Sequence, residues 1–211
     1  MTVVGQLQFV VVSLLAIPLY EGGTFFDPAT EGYRFWENFL SDLGMTKTHS
    51  GVDNARAALL FNVSLVVQGL SQIPLYLSWN RSAGSARGLV RASVVLGVLS
   101  ALGVVGVGFT PFDTLPDEHV AAVALWLFAF VPALALRCVL AVRSGRGASL
   151  GTLLTALLAV TCAVQIVQGL SGQSPAMVAT QKFLVYFMIG WFVCSSLRLI
   201  RRPEPAPSQT D

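Results

Sequence analysis

Six long stretches of the chain are almost continuously apolar, and shorter polar segments separate them. A bilayer core about 30 Å thick is spanned by roughly 20 residues of α-helix, because each residue adds about 1.5 Å. All six stretches meet that length, and none shows the period-two alternation of a membrane β-strand. The pattern predicts six transmembrane helices, at residues 3–20, 57–79, 89–112, 119–142, 150–171 and 181–200.

The composition is typical of a protein that lies inside a membrane. Of its 211 residues, 54% are hydrophobic and 11% are charged, whereas soluble globular proteins carry about 25% charged residues. So few charges cannot cover a water-soluble surface. A soluble enzyme, a disordered chain and a basic nucleic-acid-binding protein are excluded, and no nucleic-acid partner is expected. We predict an all-α polytopic membrane protein whose residues 1–200 form one six-helix domain.

The charged residues predict how the helices are oriented. In a six-span arrangement, the side that holds both termini carries nine basic and two acidic residues, a net charge of +7. The opposite side carries four basic and nine acidic residues, a net charge of −5. Because cytoplasmic segments are enriched in Lys and Arg, we expect a cell-membrane protein with both termini in the cytoplasm. Residues 201–211 contain three prolines and are expected to form a disordered cytoplasmic tail.

The longest connection, residues 21–56, is rich in large apolar side chains and is therefore expected to be ordered. Four of them recur with the i, i+3, i+4, i+7 spacing of one helix face: Trp36, Phe39, Leu40 and Leu43. Pro28 before this pattern and Gly44 after it are typical start and stop signals. We expect an amphipathic helix at about 33–43 that lies along the outer membrane interface with its aromatic side chains toward the lipid.

Ionisable side chains gather at the outer ends of the predicted helices. Asp113 and His119 lie at the two ends of one short connection, and Asp42 can approach them from the first loop. A histidine among carboxylates can act as a general acid or base, a proton relay or part of a metal site. The same residues can instead be structural, since acidic residues favour a helix N-terminus and His119 can cap the helix. Asp42, Asp113 and His119 are the candidate catalytic residues.

The sequence indicates neither a metal site nor a cofactor. His49 and His119 are its only histidines, and they do not form a His-x-x-x-His pair. The three cysteines show no metal-ligand spacing. Asn62 lies within the second span, where a polar side chain either hydrogen-bonds between helices or contributes to a binding site.

Several short motifs resemble a known family. They are Asn38-Phe39-Leu40-Ser41-Asp42-Leu43-Gly44, Leu60-Phe61-Asn62, Gly69, Gly106-Val107-Gly108-Phe109-Thr110-Pro111, and His119 followed by small residues. The combination resembles the six-span prokaryotic membrane family called domain of unknown function 998, which is similar in turn to FRAG/DRAM-type membrane proteins. It covers the first loop and spans two to four. Since eukaryotic relatives are linked to lipid handling, including remodelling of glycolipid anchors, the resemblance implies a membrane-lipid partner. The matching residues are Asn38, Ser41, Asp42, Gly44, Asn62, Pro111 and His119.

Two functions are expected, and both place the functional surface on the outer side. In the first, an outer-leaflet site binds or modifies a lipid or prenyl-type molecule. Asp42 and His119 orient or protonate its head group there, and the binding residues are Trp36, Asn38, Phe39, Ser41 and Asn62. In the second, the chain is a non-catalytic subunit or scaffold, and its aromatic outer loop docks another membrane protein. A proton-coupled or ion-coupled transporter ranks last, because the middle of the predicted spans lacks any acid or base.

Overall fold

Six long α-helices make up most of the protein. The computed structural model describes residues 1–82 and 86–201, and every one of its six helical spans is long and apolar enough to cross a membrane. The predicted all-α polytopic fold is therefore confirmed. The helices are α1 (Thr2–Ala16), α2 (Ala55–Ser78), α3 (Arg87–Phe109), α4 (Pro116–Arg143), α5 (Leu150–Ser171) and α6 (Pro175–Ile200). Short 3-10 helices follow α1 at Ile17–Leu19, precede α2 at Leu40–Gly44 and follow α2 at Trp79–Ser82.

Two helices begin three or more residues earlier than the apolar pattern predicts. α4 starts at Pro116 and α6 at Pro175, three and six residues before the predicted starts. Proline suits the first helical turn, where its missing N–H would have no acceptor within the helix. At α6, the Ser174 hydroxyl also accepts the backbone N–H of Met177 at 3.3 Å. The first turn of α4 contains Asp117 and Glu118 and is polar, so hydropathy alone does not find it.

The helices form a ring in chain order. Each one packs against its neighbours in sequence, and α6 returns to pack against α1. Glycines bring some helices very close together, as is common in membrane bundles. A Cβ added to Gly103 of α3 would lie only 2.4 Å from the backbone nitrogen of Trp126 in α4. The α3–α4 contact therefore depends on the absence of a side chain at this position.

The two ends of the ring differ in charge. One end carries segment 20–54, and we call it the loop face; it holds all nine acidic residues that the structure describes. The opposite end, the arginine face, holds no Asp or Glu within residues 1–82 and 86–201. Outside the 3-10 helix Trp79–Ser82, the described arginines of this face are Arg87, Arg91, Arg137, Arg143, Arg146, Arg198 and Arg201. Apart from Arg201, the predicted tail at 201–211 lies outside the described residues.

The predicted amphipathic helix at 33–43 is wrong. This segment contains a turn and then the five-residue 3-10 helix Leu40–Gly44. Two short polar side chains compete with helical hydrogen bonding. Asn38 Oδ1 accepts the backbone N–H four residues before it at 2.9 Å, and Asp42 Oδ2 accepts the N–H of Phe39 at 3.0 Å. The apolar residues do have helical spacing, but Phe39, Leu40 and Leu43 are buried against the helix ring.

Candidate functional site

A cavity of about 270 Å³ lies inside the ring beneath the loop face. Side chains from all six helices line it, and most of the lining is apolar. Binding pockets for drug-sized molecules begin at roughly 300 Å³ and are typically apolar with a few convergent polar groups. Representative wall residues are Phe9, Leu65, Val104, Leu127, Ile166 and Leu184.

The cavity reaches the outer surface of the ring between α4 and α5. Its lining includes Val120 and Phe128 from α4 and Leu170 from α5. All three side chains are more than half exposed. In a membrane, side chains exposed on the outside of a helix ring face the acyl chains, so this side opening connects the cavity with the lipid.

The end of the cavity under the loop face is polar. Asp42 from the 3-10 helix, His49 from the loop and His119 from the start of α4 all line it. Asp42 is only 3% exposed and His119 only 7%. The structure therefore brings two of the three candidate catalytic residues to one cavity and adds a second histidine.

Asp42 is held by the loop on one oxygen and faces His49 with the other. Its Oδ2 accepts hydrogen bonds from Asn38 Nδ2 at 2.9 Å and from the Phe39 N–H at 3.0 Å. Its Oδ1 lies 3.4 Å from His49 Nε2. That separation permits an ion pair when His49 is protonated, although the two atoms do not have hydrogen-bond geometry. One oxygen of Asp42 thus has a structural role, and the other faces His49.

A buried lysine interacts with the same carboxylate. Lys182 of α6 is 1% exposed and has an electrostatic interaction with Asp42. Its ammonium group donates to the backbone oxygen of Asn38 and lies 5.2 Å from the ring centre of Phe35. A buried cation requires such partners, because desolvation is otherwise costly. The adjacent Gln181 accepts the Leu40 N–H at 2.7 Å, so two neighbouring residues of α6 fasten the loop to the ring.

His119 has a defined orientation. Its Nδ1 lies 2.6 Å from the backbone oxygen of Thr110. A carbonyl oxygen can only accept, so Nδ1 must carry the proton of this hydrogen bond. In neutral His119, Nε2 is then the unprotonated nitrogen and can accept a hydrogen bond or a proton.

Tyr20 and Gly23 hold together the loop that covers the cavity. The Tyr20 hydroxyl donates to the Gly23 oxygen at 3.0 Å and accepts the His49 N–H at 3.3 Å. Burial, reinforced by the negative charge of Asp42, raises the pKa of the Tyr20 and Tyr33 hydroxyls, so both remain protonated donors. Gly23 has a φ of +83°, and a Cβ there would lie 2.7 Å from the His49 carbonyl carbon. Only glycine fits this close crossing.

Asp113 fixes a different part of the loop. Its Oδ1 accepts the Thr46 N–H at 2.9 Å, and its Oδ2 accepts the Thr46 hydroxyl at 2.5 Å and the Lys47 N–H at 3.0 Å. Burial alone would raise the pKa of Asp113, but these hydrogen bonds to the charged form outweigh it and hold the pKa below its usual value. Asp113 is not part of the cavity lining.

The predicted binding residues fall into three places. Phe39 and Ser41 line the cavity, and Asn38 supports it from behind through Asp42 and Gly23. Trp36 is 58% exposed on the outside of the loop and does not line the cavity. Asn62 is also outside the lining, and its Nδ2 donates to the Gly44 oxygen at 2.9 Å.

Polar groups also lie deep in the cavity. Gln68 donates to the Gln6 side chain at 3.2 Å, and Gln165 accepts the Thr180 hydroxyl at 2.9 Å. Hydrogen bonds between helices thus account for both glutamines. The buried indole N–H of Trp126 has no hydrogen-bond partner within the part of the chain that the structure describes. It is therefore a donor at the cavity wall.

His49, Lys182 and Gln181 belong to the candidate site but were not predicted as site residues from the sequence. The signal for Lys182 was present, because it is a single charge at the start of an apolar span. His49 gave no such signal, since a loop histidine has no periodicity. Only the fold of the loop brings it to Asp42.

The arrangement offers acid–base and hydrogen-bonding chemistry in an apolar setting. Across residues 1–82 and 86–201, no group of three His, Cys, Asp or Glu side chains is placed to hold a metal ion.

No family model, curated protein or solved structure matches the chain.

Proposed function

We propose that this integral membrane protein binds a lipid or prenyl-type molecule in the loop-face cavity. The observation that carries the proposal is an apolar cavity that opens sideways between α4 and α5 and ends at the buried Asp42 and His119 and the partly buried His49. The apolar chain enters through the side opening, and the polar head lies under the loop. Because the volume is only about 270 Å³, the cavity takes one chain and leaves the rest of a larger lipid in the bilayer.

The polar head provides the selectivity. A chain that leaves the bilayer for an apolar cavity gains little, because both surroundings are apolar. A hydrogen bond to Asp42 or His119 is stronger there than in water, since the local dielectric is low. Asp42 Oδ1 and neutral His119 Nε2 are both acceptors, so the favoured head group carries a hydroxyl or an amine. His119 is the residue placed to exchange a proton with that group, whether the lipid is only bound or also modified.

The same proposal includes an orientation in the cell membrane. The loop face lies outside and both termini lie in the cytoplasm, as the excess of arginine at the arginine face favours.

The proposal also includes membership of the domain-of-unknown-function-998 family. Three of the matching residues that carry the resemblance, Ser41, Asp42 and His119, line the cavity together.

Lipids that co-purify with the protein test the proposal. Ala124→Trp fills the cavity, because Ala124 lines it. Leu157→Trp is the matched control, since Leu157 is exposed on α5 outside the lining. Extracted lipids are compared with the bulk membrane by mass spectrometry. We expect a lipid class enriched with the wild type and the control and lost with Ala124→Trp. Equal lipid composition in all three preparations would contradict the proposal.

Docking of another membrane protein is the second candidate function. It is favoured by exposed aromatic side chains on the loop, Phe25, Phe26 and Trp36. Affinity purification from native membranes tests it, with Phe26→Ser and Trp36→Ser combined as the variant. A stoichiometric partner that is lost in this variant, and kept in Ala124→Trp, would support docking. A partner bound equally by both variants would contradict it.

A further inference from the structure

A second cavity, of about 470 Å³, lies at the arginine face. It is formed by the ends of α2 to α6 and is separate from the loop-face cavity, with which it shares no lining residue. Four of its lining residues are arginines: Arg137, Arg143, Arg146 and Arg198. We call it the arginine cavity.

The side of the protein that holds the arginine cavity carries an excess of positive charge. Within the described ranges, every Asp and Glu lies at the loop face, and with Glu204 and Asp211 of the tail included the predicted cytoplasmic side has nine basic and two acidic residues. Like charges gathered around one concave surface create a strong positive potential. Such a cavity selects an anion.

Hydroxyl groups line the same space: Ser144 follows α4, and Ser149 and Thr152 lie at the start of α5. Ser144 donates to the Ala141 oxygen and Thr152 to the Arg146 oxygen, both at 3.0 Å, so these two hydroxyl protons are used within the protein. Ser149 caps α5 by accepting the Thr152 N–H at 3.3 Å. The first turn of α5 therefore adds the positive end of a helix dipole to the four guanidinium groups.

The floor of the cavity is aromatic and fixed. Trp79 and Trp191 are buried and line it, and the Trp191 indole donates to Thr155 at 3.0 Å. Arg137 is stacked over the Trp79 ring, 4.7 Å from its centre. This guanidinium group is therefore held at the cavity wall.

Glycine at the start of α5 makes room for another arginine. A Cβ added to Gly151 would lie 2.5 Å from Nη1 of Arg198. Arg198 of α6 thus crosses the first turn of α5 at a position without a side chain. The crossing brings a guanidinium group from α6 to the cavity rim formed by α4 and α5.

We propose that the arginine cavity binds a phosphate group. Guanidinium groups donate paired hydrogen bonds that match phosphate oxygens, and helix N-termini complete such sites. The cavity also has apolar walls, including Leu75, Val90 and Leu199, and lies where the membrane spans end. The phosphate is therefore the head group of a lipid in the adjacent leaflet, rather than that of a soluble phosphate ester. This site is independent of the function proposed for the loop-face cavity.

Binding to the purified full-length protein in a neutral detergent tests the proposal. The probes are dioctanoyl phosphatidic acid, dioctanoyl glycerol without the phosphate, and glycerol 3-phosphate without the chains. Arg143→Gln combined with Arg198→Gln removes two cavity charges. Arg87→Gln combined with Arg91→Gln is the control, because it removes the same charge from the same face outside the cavity lining. Thermal unfolding of both double variants shows whether they are folded.

We expect phosphatidic acid to bind the wild type and the control pair with affinities within about twofold of each other, and the cavity pair at least about tenfold more weakly. Weaker binding of glycerol 3-phosphate identifies a lipid as the source of the phosphate, whereas equal binding identifies a soluble ester; both uphold the phosphate site. Dioctanoyl glycerol binding as tightly as phosphatidic acid would overturn the proposal. Equal loss of affinity in the two double variants would also overturn it, because general electrostatic attraction would then explain the binding.

Discussion

Asp42 Oδ1 lies 3.4 Å from His49 Nε2, and the buried Lys182 interacts with the same carboxylate. Asp42 and His49 belong to the loop region and Lys182 to α6, so the interaction with Lys182 joins two segments that are far apart in the sequence. The carboxylate and the ammonium group balance each other when His49 is neutral. This balance explains how two charged groups stay buried at the end of an apolar cavity.

Removing one member of the Asp42–Lys182 pair should destabilise the protein strongly. Asp42→Asn or Lys182→Met alone leaves an uncompensated buried charge, which costs about 3–5 kcal/mol. The double variant should lose less than the sum of the two, with a coupling of roughly 0.5–3 kcal/mol. The free energy of unfolding in mixed micelles measures this. Strictly additive losses would show that the two charges do not stabilise each other.

The hydrogen bonds to Asp113 should make the stability of the loop depend on pH. Because the pKa of folded Asp113 is lowered from 3.8, its contribution is present above that value and is lost as the pH falls through the folded pKa. Asp113→Asn should cost about 1–2 kcal/mol at neutral pH and little in strong acid. Asp53→Asn, an exposed carboxylate of the same loop, is the control. The free energy of unfolding is measured from neutral pH to strong acid. If the difference between the wild type and Asp113→Asn stayed constant over this range, the proposed role of Asp113 would be refuted.

Gly103→Ala should loosen the contact between α3 and α4. The new Cβ would lie 2.4 Å from the backbone of Trp126, which cannot rotate away, so the helices must separate. Overpacking of this kind costs about 1–3 kcal/mol. Gly190→Ala is the matched control, because a Cβ there meets nothing within 4 Å. It should be neutral or stabilise α6 by up to about 1 kcal/mol. A smaller effect at Gly103 than at Gly190, by thermal unfolding, would contradict the packing.

Labelling of single cysteines should report the orientation. In a background without the three native cysteines, Ala29→Cys is placed on the loop and Ala148→Cys between α4 and α5, both at exposed positions. A membrane-impermeant maleimide should modify Ala29→Cys in intact cells. It should reach Ala148→Cys only after permeabilisation. The opposite pattern would place the loop face in the cytoplasm.

Hydropathy and charge were sufficient to predict the six spans, because the membrane imposes a minimum length of apolar helix on each one. The helix predicted at 33–43 failed for a local reason. Its apolar spacing fits a helix, but Asn38 and Asp42 hydrogen-bond to the backbone and favour a turn and a 3-10 helix instead. The spacing of apolar residues does not reveal side-chain hydrogen bonds that compete with the helix.

The candidate site was only partly predictable for a different reason. Asp42 and His119 were selected as polar residues at helix ends, and they do line one cavity. Asp113 is also a polar residue near a helix end, but it accepts hydrogen bonds from Thr46 and Lys47, away from that cavity. Which acidic residue faces the cavity depends on the path of the loop, and a single sequence contains no distance information of that kind.

Photocrosslinking is the most direct test of the central claim that a lipid chain enters the loop-face cavity. A lipid with a diazirine at the end of its acyl chain is reconstituted with the protein, and adducts are mapped by tandem mass spectrometry. Leu184 and Met188 line the cavity but are at most 1% exposed, so lipid on the outside of the ring cannot reach them. We predict adducts at these two residues, and their loss in Ala124→Trp. Adducts confined to outward-facing residues such as Leu157 and Phe183 would contradict the account.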